Sequence, residues 1–356
     1  MAYLDANATE PLRPEARSAV LATLDLPGNP ASVHAAGRAA RRVLEDARIA
    51  IAARFGAEPA GIVFTSGGTE ANALGIAGLS RGSRVIMGAT EHDAVRAAAV
   101  GAEVLPVDAD GVADLDALVR MLAGPPALVC LMLANNETGT LQPVTAAAAL
   151  CREHGALLHV DAVQAAGRID TSLAALGVDS IALSSHKLGG PKGAGALLLA
   201  PEREITPLLR GGGQERGRRG GTPALPAIAG FAAAAGAARM DPAAMRDAAE
   251  AHAVGCGAIA LGGQNRLPNT SCIALPGVRA DIQVIALDLA GIAVSAGAAC
   301  SSGKVARSHV LDAMGAGALA GEAIRVSLPW NATWDDVRAF QDAYAAMAAR
   351  LAKRAA

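Results

Sequence analysis

The stretch SIALSSHKLGGPKGAGALLLA, Ser180 to Ala200, carries the pattern on which the fold prediction depends. Its apolar runs SIAL and GALLLA are typical of buried strands, and a polar, glycine-rich loop joins them. Taken alone, Lys187 in this loop is most simply a surface lysine whose stem lies along apolar neighbours. The alternative is a lysine at the end of a buried strand, where partial desolvation makes an amine a nucleophile for carbonyls.

Strand and helix patterns alternate on both sides of this stretch. Upstream, the strand-like runs are GIVFTSGG, SRVIMGA, ALVCLMLAN and ALLHVDAVQ, and the helical patterns include HAAGRAARRVLEDARIAIAARF and TAAAALCREHG. This alternation over roughly 200 residues predicts an α/β architecture with a mostly parallel central sheet. Downstream, TSCIALPG, AIRVSLPW and a C-terminal amphipathic helix predict a smaller α+β domain. We expect the large domain at residues 14–250 and the small domain at residues 1–13 and 251–356.

Length, charge and cysteine content exclude several classes of protein. A chain of 356 residues exceeds what one hydrophobic core usually serves, which favours two domains. The formal net charge of -2 gives no electrostatic support for binding nucleic acid or an anionic membrane. The five cysteines are widely spaced without a Cys-x-x-Cys pair, and the seven histidines show no paired spacing, which argues against a disulfide framework and a metal site. Without a signal-peptide pattern or a membrane-spanning apolar run, we expect a cytoplasmic protein.

Small and polar residues follow the predicted strands where these end, which is where open α/β sheets bind ligands. TSGGTE places Gly68 and Thr69 at a helix start, which suits a phosphate but also describes an ordinary helix N-cap. Asp161 ends a buried strand and Gln164 follows it; on this segment alone, a structural ion pair explains the carboxylate slightly better than a ligand site. A turn or a site explains NNETGT equally well.

Taken together, these strand ends fit one cofactor. A phosphate cradle, an Asp-x-x-Gln motif and a Ser-x-His-Lys motif at strand ends match the phosphate, pyridine nitrogen, phenolic oxygen and aldehyde of pyridoxal phosphate. A dinucleotide fits less well because no Gly-x-Gly-x-x-Gly follows the first strand. We therefore expect pyridoxal 5′-phosphate as the cofactor.

The sequence resembles the cysteine desulfurases of the class V aminotransferase family, which are pyridoxal-phosphate enzymes of fold type I. The resemblance spans nearly the whole chain and rests on YLDANATEPL, NPASVHAAGRAA, FTSGGTEANALGI, EHDAV, NNETGTLQPV, HVDAVQAAG, SSHKLGGPKGAGAL, GGGQERGRRGGTP, SAGAACSSG and AIRVSL. It implies that L-cysteine is converted to L-alanine and an enzyme persulfide, for iron–sulfur cluster assembly or other sulfur transfer. It also implies a homodimer and a sulfur-acceptor or iron–sulfur scaffold protein as partner.

The same resemblance assigns roles to residues at matching positions. Lys187 would condense with the cofactor's aldehyde, His92 would stack on the ring and move protons, and Cys300 would be the nucleophile that takes up sulfur. Asn136 and Arg325 would bind the substrate carboxylate. The cofactor would be held by Gly68, Thr69, His92, Asp161, Gln164, Ser184, His186 and Lys187, with Thr222 reaching the phosphate in the neighbouring subunit.

Alternatives remain open at this point. The fold would also serve a selenocysteine lyase, an aminotransferase or a non-catalytic partner protein that binds the cofactor. For Cys300 the alternative is a buried structural thiol, although its small polar neighbours argue against burial. The sequence departs from the family pattern at Glu10, where threonine is usual, at Arg307, where proline is common, and at Pro329 and Trp330.

Overall fold

The computed structural model describes residues 1–297 and 307–355, with side chains to residue 351. Its strands are β1 (Ala2–Tyr3), β2 (Ile62–Thr65), β3 (Arg84–Gly88), β4 (Glu103–Leu105), β5 (Ala127–Cys130), β6 (Leu157–Asp161), β7 (Ser180–Ser184), β8 (Gly195–Leu199), β9 (Ile259–Leu261), β10 (Thr270–Ala274), β11 (Ile292–Ala293), β12 (Ser295–Ala296) and β13 (Ala323–Ser327). Its α-helices are α1 (Pro14–Leu24), α2 (Ala35–Arg54), α3 (Gly68–Ser80), α4 (Asp93–Ala98), α5 (Leu115–Leu122), α6 (Val144–Glu153), α7 (Leu173–Leu176), α8 (Leu225–Gly236), α9 (Ala243–Gly255), α10 (Ala280–Leu289), α11 (His309–Ala313) and α12 (Trp334–Ala355). Short 3₁₀ helices lie at Pro59–Gly61, Ser185–Lys187, Gln214–Gly217 and Gly317–Gly321.

The larger sheet has seven strands in the order β2-β8-β7-β6-β5-β3-β4. The pairs from β7 through β6, β5 and β3 to β4 are parallel, whereas β8 runs antiparallel to both of its neighbours. The central strands β5 and β7 are buried along their whole length, as expected for strands covered by helices on both faces. The predicted α/β architecture with a mostly parallel sheet is confirmed.

A second, antiparallel sheet has the strand order β12-β13-β10-β9. Its apolar core includes Ile273 and Ile324 of the sheet, Ala253 of α9, and Phe340 and Tyr344 of α12. Strand, helix, strand and a C-terminal amphipathic helix follow one another as predicted for an α+β unit. The residue bounds given above for the two domains stay a prediction. In the part of the chain that the structure describes, no helix is both long and apolar enough to cross a bilayer.

The N-terminal segment, residues 2–13, connects the two sheets. It begins beside the smaller sheet, where β1 pairs with β11 and Asp5 forms a bridge with Ser327. It ends beside the larger sheet, where the Glu10 N–H donates to the His186 carbonyl (2.9 Å) and the Arg13 N–H to the Gly189 carbonyl (2.8 Å). The segment therefore lies against the loop that carries Lys187.

Candidate active site

A cavity of about 240 Å³ lies at the carboxyl ends of β5, β6 and β7, against the first turn of α3. The residues predicted from the sequence that line it are Gly68, Thr69, His92, Asn136, Asp161, Gln164, Ser184, His186 and Lys187. Thr222 and Arg325 are not among its lining residues, and Cys300 lies outside the described residues. The sheet thus brings together nine side chains and backbone positions that are far apart in the sequence.

The first turn of α3 leaves its backbone open toward the cavity. Gly67, the N-cap, has φ 157° and ψ −178°, a conformation that only glycine adopts readily. A Cβ on Gly68 would lie 2.7 Å from Val163 Cγ2 and 3.3 Å from Ser184 Cβ, so a side chain has no space there. A Cβ on Gly195 would lie 2.7 Å from Gly67 Cα. These glycines let free helix N–H groups approach a ligand closely, which suits a phosphate.

Asp161 is held by a buried hydrogen-bond network. Its Oδ2 accepts from Asn72 Nδ2 (2.8 Å) and its Oδ1 from the Val163 N–H (2.9 Å). Asn72 Oδ1 lies 3.0 Å from His159 Nε2, and His159 Nδ1 lies 2.7 Å from Ser180 Oγ. Burial lowers the pKa of His159 to about 4, so the ring is neutral, and its Nε2–H donates to the amide oxygen. The network fixes the carboxylate in the cavity wall.

Lys187 lies in the 3₁₀ turn after β7 and points to the N-terminal segment. Its Nζ donates to the carbonyl of Asn7 and, at 3.1 Å, to that of Ala8. Gln164 Nε2 donates to the same Asn7 carbonyl at 2.9 Å, and Gln164 Oε1 accepts from Arg168 Nη1 at 2.9 Å. Because a guanidinium only donates, Arg168 fixes which end of the Gln164 amide carries the oxygen. The sequence prediction missed Asn7, Ala8 and Arg168.

Two histidines have defined roles in hydrogen bonding around the cavity. His92 caps α4, and its Nδ1 accepts from the Ala94 N–H at 3.1 Å, so this nitrogen carries no proton in that contact. His186 Nδ1 lies 3.0 Å from Thr9 Oγ1. Burial first, and then the neighbouring cations led by Lys187, lower the pKa of His186 to about 4. A neutral His186 can therefore donate one hydrogen bond to a ligand without adding charge.

Arg325 lies behind Asn136. Its Nη1 donates to the Asn136 carbonyl (3.0 Å), and its Nη2 pairs with Asp5 Oδ1 (2.7 Å). The other Asp5 oxygen accepts from Ser295 Oγ at 2.8 Å. Arg325 is 4% exposed, and its buried Nε has no hydrogen-bond partner within residues 1–297 and 307–351. Asp5 and the Asn136 carbonyl hold the guanidinium in place behind the cavity wall, on which Asn136 lies.

Thr222 lies apart from the other predicted residues. It lines a separate cavity of about 90 Å³ together with Ser66 and Arg219. Glu215, in the same loop, has φ 48°, and it is held by a bidentate pair with Arg48 at 2.9 and 3.0 Å. A residue separated from the cavity of its own chain is consistent with the expectation that Thr222 acts in a neighbouring subunit.

Two departures from the family pattern, Glu10 and Trp330, lie in contact. Glu10 Oε2 accepts from the Trp330 N–H (3.1 Å) and Oε1 pairs with Arg168 (3.2 Å). The Trp330 indole N–H donates to the Pro11 carbonyl (2.8 Å), and the Arg13 guanidinium lies 4.8 Å from the centroid of the indole ring. Burial raises the pKa of Glu10 and Arg168 opposes this. The two departures therefore form one linkage between the N-terminal segment and the chain that follows β13.

Comparison with known proteins agrees with this geometry. The model of the family "Aminotransferase class-V" matches residues 2–340. The chain belongs to the class-V aminotransferase family. A relative within this pyridoxal-phosphate-dependent family, "Cysteine desulfurase" from Cereibacter sphaeroides, is 44% identical over 338 residues, which cover 88% of this chain and 86% of the relative. "IscS-like cysteine desulfurase" from Mycobacterium tuberculosis is 36% identical over 386 residues, covering 100% of this chain and 98% of the relative.

Solved structures of class-V members share the fold. The X-ray structure of a NifS-like protein from Rickettsia africae superposes with a TM-score of 0.88 at 34% identity, covering 98% of this chain and 99% of that chain. The structure titled "SspA in complex with cysteine" superposes with a TM-score of 0.82 at 30% identity, covering 94% of this chain and 100% of that chain. The predicted membership of fold type I is confirmed.

Proposed function

We propose that this chain is a cysteine desulfurase: it binds pyridoxal 5′-phosphate and converts L-cysteine to L-alanine, leaving the sulfur as a persulfide on Cys300. The observation that carries the proposal is the convergence of Lys187, Asp161, Gln164 and the first turn of α3 in one cavity beside Asn136. Relatives named cysteine desulfurase cover most of the chain at 36–44% identity, which supports the same reaction here.

The wall of the cavity fits the polar groups of the cofactor. The first turn of α3, Ser184 and the neutral His186 would hold the phosphate, because backbone N–H, hydroxyl and imidazole N–H groups are donors. Asp161, fixed by Asn72, would pair with the pyridine nitrogen. The Gln164 amide would bind the phenolic oxygen. Gly68 also supports this fit: a Cβ there would lie 2.7 Å from Val163 Cγ2, so the position takes only glycine, whose backbone a phosphate can approach closely.

When bound, the cofactor accepts the electron pair that remains on the α-carbon of cysteine after a proton is removed. The residues of this chain supply the remaining tasks. Lys187, which would condense with the aldehyde of the cofactor and is displaced by the substrate, then takes the α-proton on Nζ; the carbonyls of Asn7 and Ala8 lie within hydrogen-bonding reach of that nitrogen. Asn136, which lines the cavity, and Arg325, which lies behind it and donates to its carbonyl, orient the substrate carboxylate.

Sulfur transfer then consumes the thiolate of Cys300. The thiolate attacks the substrate sulfur, an S–S bond forms as the bond between that sulfur and the β-carbon breaks, and the β-carbon takes a proton. Lys187 and His92 lie in the cavity wall as the proton-carrying groups for this step. Atoms balance without an external oxidant or reductant: one thiol and one cysteine give one persulfide and one alanine.

The proposal extends to partners and location. A homodimer is supported by the position of Thr222, which lies outside the cavity of its own chain. The persulfide needs an acceptor, for which an iron–sulfur scaffold or another sulfur-accepting protein is the proposed partner. The described cysteines, Cys130, Cys151, Cys256 and Cys272, are free thiols, as is typical of the reducing cytoplasm that we propose as the location.

Purified protein loaded with pyridoxal phosphate tests the proposal. We expect L-cysteine to change the absorbance of the bound cofactor and to yield equal amounts of alanine and transferred sulfur. Cys300→Ser is expected to keep the absorbance change and lose the sulfur product. Undiminished sulfur release by Cys300→Ser would contradict the assigned nucleophile. Turnover of selenocysteine alone would indicate a selenocysteine lyase, amino-group transfer to a keto acid an aminotransferase, and cofactor binding without turnover a non-catalytic protein.

A further inference from the structure

Glu137 is a buried carboxyl group that the proposed mechanism does not use. It follows Asn136 in the loop after β5 and is 2% exposed. Its backbone N–H donates to Asn135 Oδ1 at 2.8 Å, which fixes the start of the side chain. Within residues 1–297 and 307–351 no cation lies close enough to form an ion pair with it. The position of this carboxyl group therefore needs an explanation other than charge pairing.

One oxygen of Glu137 meets the chain on both sides of residues 298–306. Glu137 Oε2 accepts from Ser308 Oγ at 2.5 Å. The same oxygen lies so close to Gly297 that a Cβ on this glycine would be 2.1 Å from it, so only glycine fits there. Residues 298–306, which include Cys300, lie outside the described residues. One carboxyl oxygen thus lies against Gly297, directly before this segment, and is bonded to Ser308, two residues after it.

The contact with Ser308 has a fixed direction. Ser308 Oγ accepts from the Leu311 N–H (3.1 Å) as the cap of α11, so its hydroxyl proton is left for Glu137. The Ser308 N–H donates to the Ala320 carbonyl at 3.0 Å. Ser308 is 2% exposed, so water does not compete for these bonds. The side chain of Ser308 links the start of α11 to the loop that contains Asn136.

A second hydrogen bond links the start of α11 to the chain beside the cavity. His309 Nε2 lies 3.0 Å from the carbonyl of Glu91, the residue before His92. The groups that act electrostatically on Glu137 are His309 and Arg325, which favour its charged form, and Asp93, which opposes it. Burial outweighs them and raises the pKa of Glu137. A charged Glu137 therefore lies at an electrostatic cost in the place where it is bonded to Ser308 and lies against Gly297.

We propose that Glu137 is a positioning residue for sulfur transfer: it holds Gly297 and Ser308 beside Asn136 and so fixes where the chain that carries Cys300 leaves and rejoins the active site. The inference rests on the proposed function. Because Glu137 is not among the residues that line the cavity, its removal is expected to spare the reaction of cysteine with the cofactor. It is expected to slow the separate step in which Cys300 takes up sulfur.

The test compares these two steps in the holoenzyme for Glu137→Ala, Glu137→Gln and Ser308→Ala. The first step is followed by the absorbance change of the bound cofactor on mixing with L-cysteine. The second is followed by persulfide on the peptide that contains Cys300 and by alanine. Glu250→Gln serves as the control, since Glu250 is a partly buried carboxylate that pairs with Arg266 rather than with Ser308. Trypsin cleavage after Lys304 and Arg307, without cysteine, gives a readout independent of activity.

We expect Glu137→Ala to keep the absorbance change and to slow persulfide formation between about 10- and 100-fold, as misplacement of a reacting group does. Ser308→Ala should likewise keep the absorbance change and slow persulfide formation. The double variant Glu137→Ala/Ser308→Ala should form the persulfide no more slowly than the slower of the two single variants. Glu137→Gln should recover part of the rate of persulfide formation, because its amide oxygen still accepts a hydrogen bond. Cleavage by trypsin should be faster in Glu137→Ala than in the wild type or Glu250→Gln.

Two sets of results would overturn the inference. One is an equal decrease, in Ser308→Ala, in the rates of the absorbance change and of persulfide formation. Ser308→Ala is the variant on which the test depends if Glu137→Ala does not fold. The other is an unchanged rate of persulfide formation in either variant. Failure of the proposed function is a distinct outcome, because in that case the wild-type holoenzyme itself forms no alanine from L-cysteine.

Discussion

Lys187 lies between the strand-end wall, which is the side of the cavity formed at the carboxyl ends of the strands, and the N-terminal segment. The wall contributes side chains, whereas the segment contributes backbone carbonyls. The wall, at the ends of β5, β6 and β7, contributes side chains such as Asp161 and Gln164, and these define the chemistry of the cavity. The segment, residues 2–13, contributes the backbone carbonyls of Asn7 and Ala8. Its side chains, Glu10 among them, link distant parts of the chain. We therefore expect substitution of a residue in the wall to change the reaction, and substitution of a side chain in the segment to change stability.

The largest effect is expected at Lys187. Lys187→Ala removes the amine that we propose takes the α-proton, and it should lower the rate of alanine formation between about 10²- and 10⁴-fold, the range of general acid–base catalysis. Lys192→Ala is the matched control, since Lys192 is an exposed lysine of the same loop. Both variants are assayed for alanine with saturating L-cysteine. Equal rates in the two variants would remove Lys187 from the reaction.

A pH effect is expected from the network behind Asp161. The pKa of His159 is about 4 when folded and near 6.5 when unfolded, so the unfolded chain binds more protons between these values. Stability is therefore full above pH 6.5 and falls as the pH drops toward 4. From pH 7 to pH 5 the loss from this group is about 2 kcal/mol.

Urea unfolding at pH 7 and pH 5 measures this loss. His159→Gln removes the titrating ring and should weaken the dependence on pH. His154→Gln, at an exposed histidine, should keep it. The same dependence on pH in the two variants would show that His159 is not the titrating group.

The segment is tested at Glu10. Glu10→Thr, which restores the residue usual in the family, removes the acceptor of the Trp330 N–H and leaves Arg168 without its carboxylate. Loss of such buried bonds should lower the free energy of unfolding by about 1–3 kcal/mol. The rate of alanine formation should change by less than about threefold, which is under 1 kcal/mol of activation free energy. Denaturant unfolding and the alanine assay are measured side by side, and a rate loss as large as that of Lys187→Ala would erase the distinction between the two regions.

A smaller effect is expected at Trp330. Trp330→Phe keeps an aromatic ring beside Arg13 but loses the indole N–H that donates to the Pro11 carbonyl at 2.8 Å. One hydrogen bond of this kind contributes about 1 kcal/mol. The same unfolding measurement should show a decrease of that size, smaller than that of Glu10→Thr. A decrease larger than that of Glu10→Thr would place the main linkage at the indole ring.

Much of the wall could be predicted from the sequence because its residues follow apolar strands directly. Parallel strands place their carboxyl ends at one edge, so Asp161, Lys187 and the turn at Gly68 were expected near one another. The reversed direction of β8 also has a simple cause: only residues 185–194 separate it from β7, which is too short for the crossover that a parallel strand needs.

The residues that the sequence prediction missed act through backbone atoms, or have side chains whose type does not by itself indicate a site. A carbonyl such as that of Asn7 exists at every residue, so its contact with Lys187 cannot be read from residue type. Asn72 and His159 left a weak signal, because each is a polar residue inside an otherwise apolar helix or strand. The partner of Arg325 is Asp5, 320 positions away in the chain. They come together because the N-terminal segment runs beside β13, where Asp5 forms a bridge with Ser327.

We propose that the wall directs sulfur from cysteine to Cys300. This is tested by adding L-cysteine to the holoenzyme without reductant and recording alanine together with the mass of each cysteine-containing peptide. We expect one alanine per active site and a gain of one sulfur atom on the Cys300 peptide alone. Alanine without added sulfur on that peptide, or the same yield of transferred sulfur from Cys300→Ser, would contradict it.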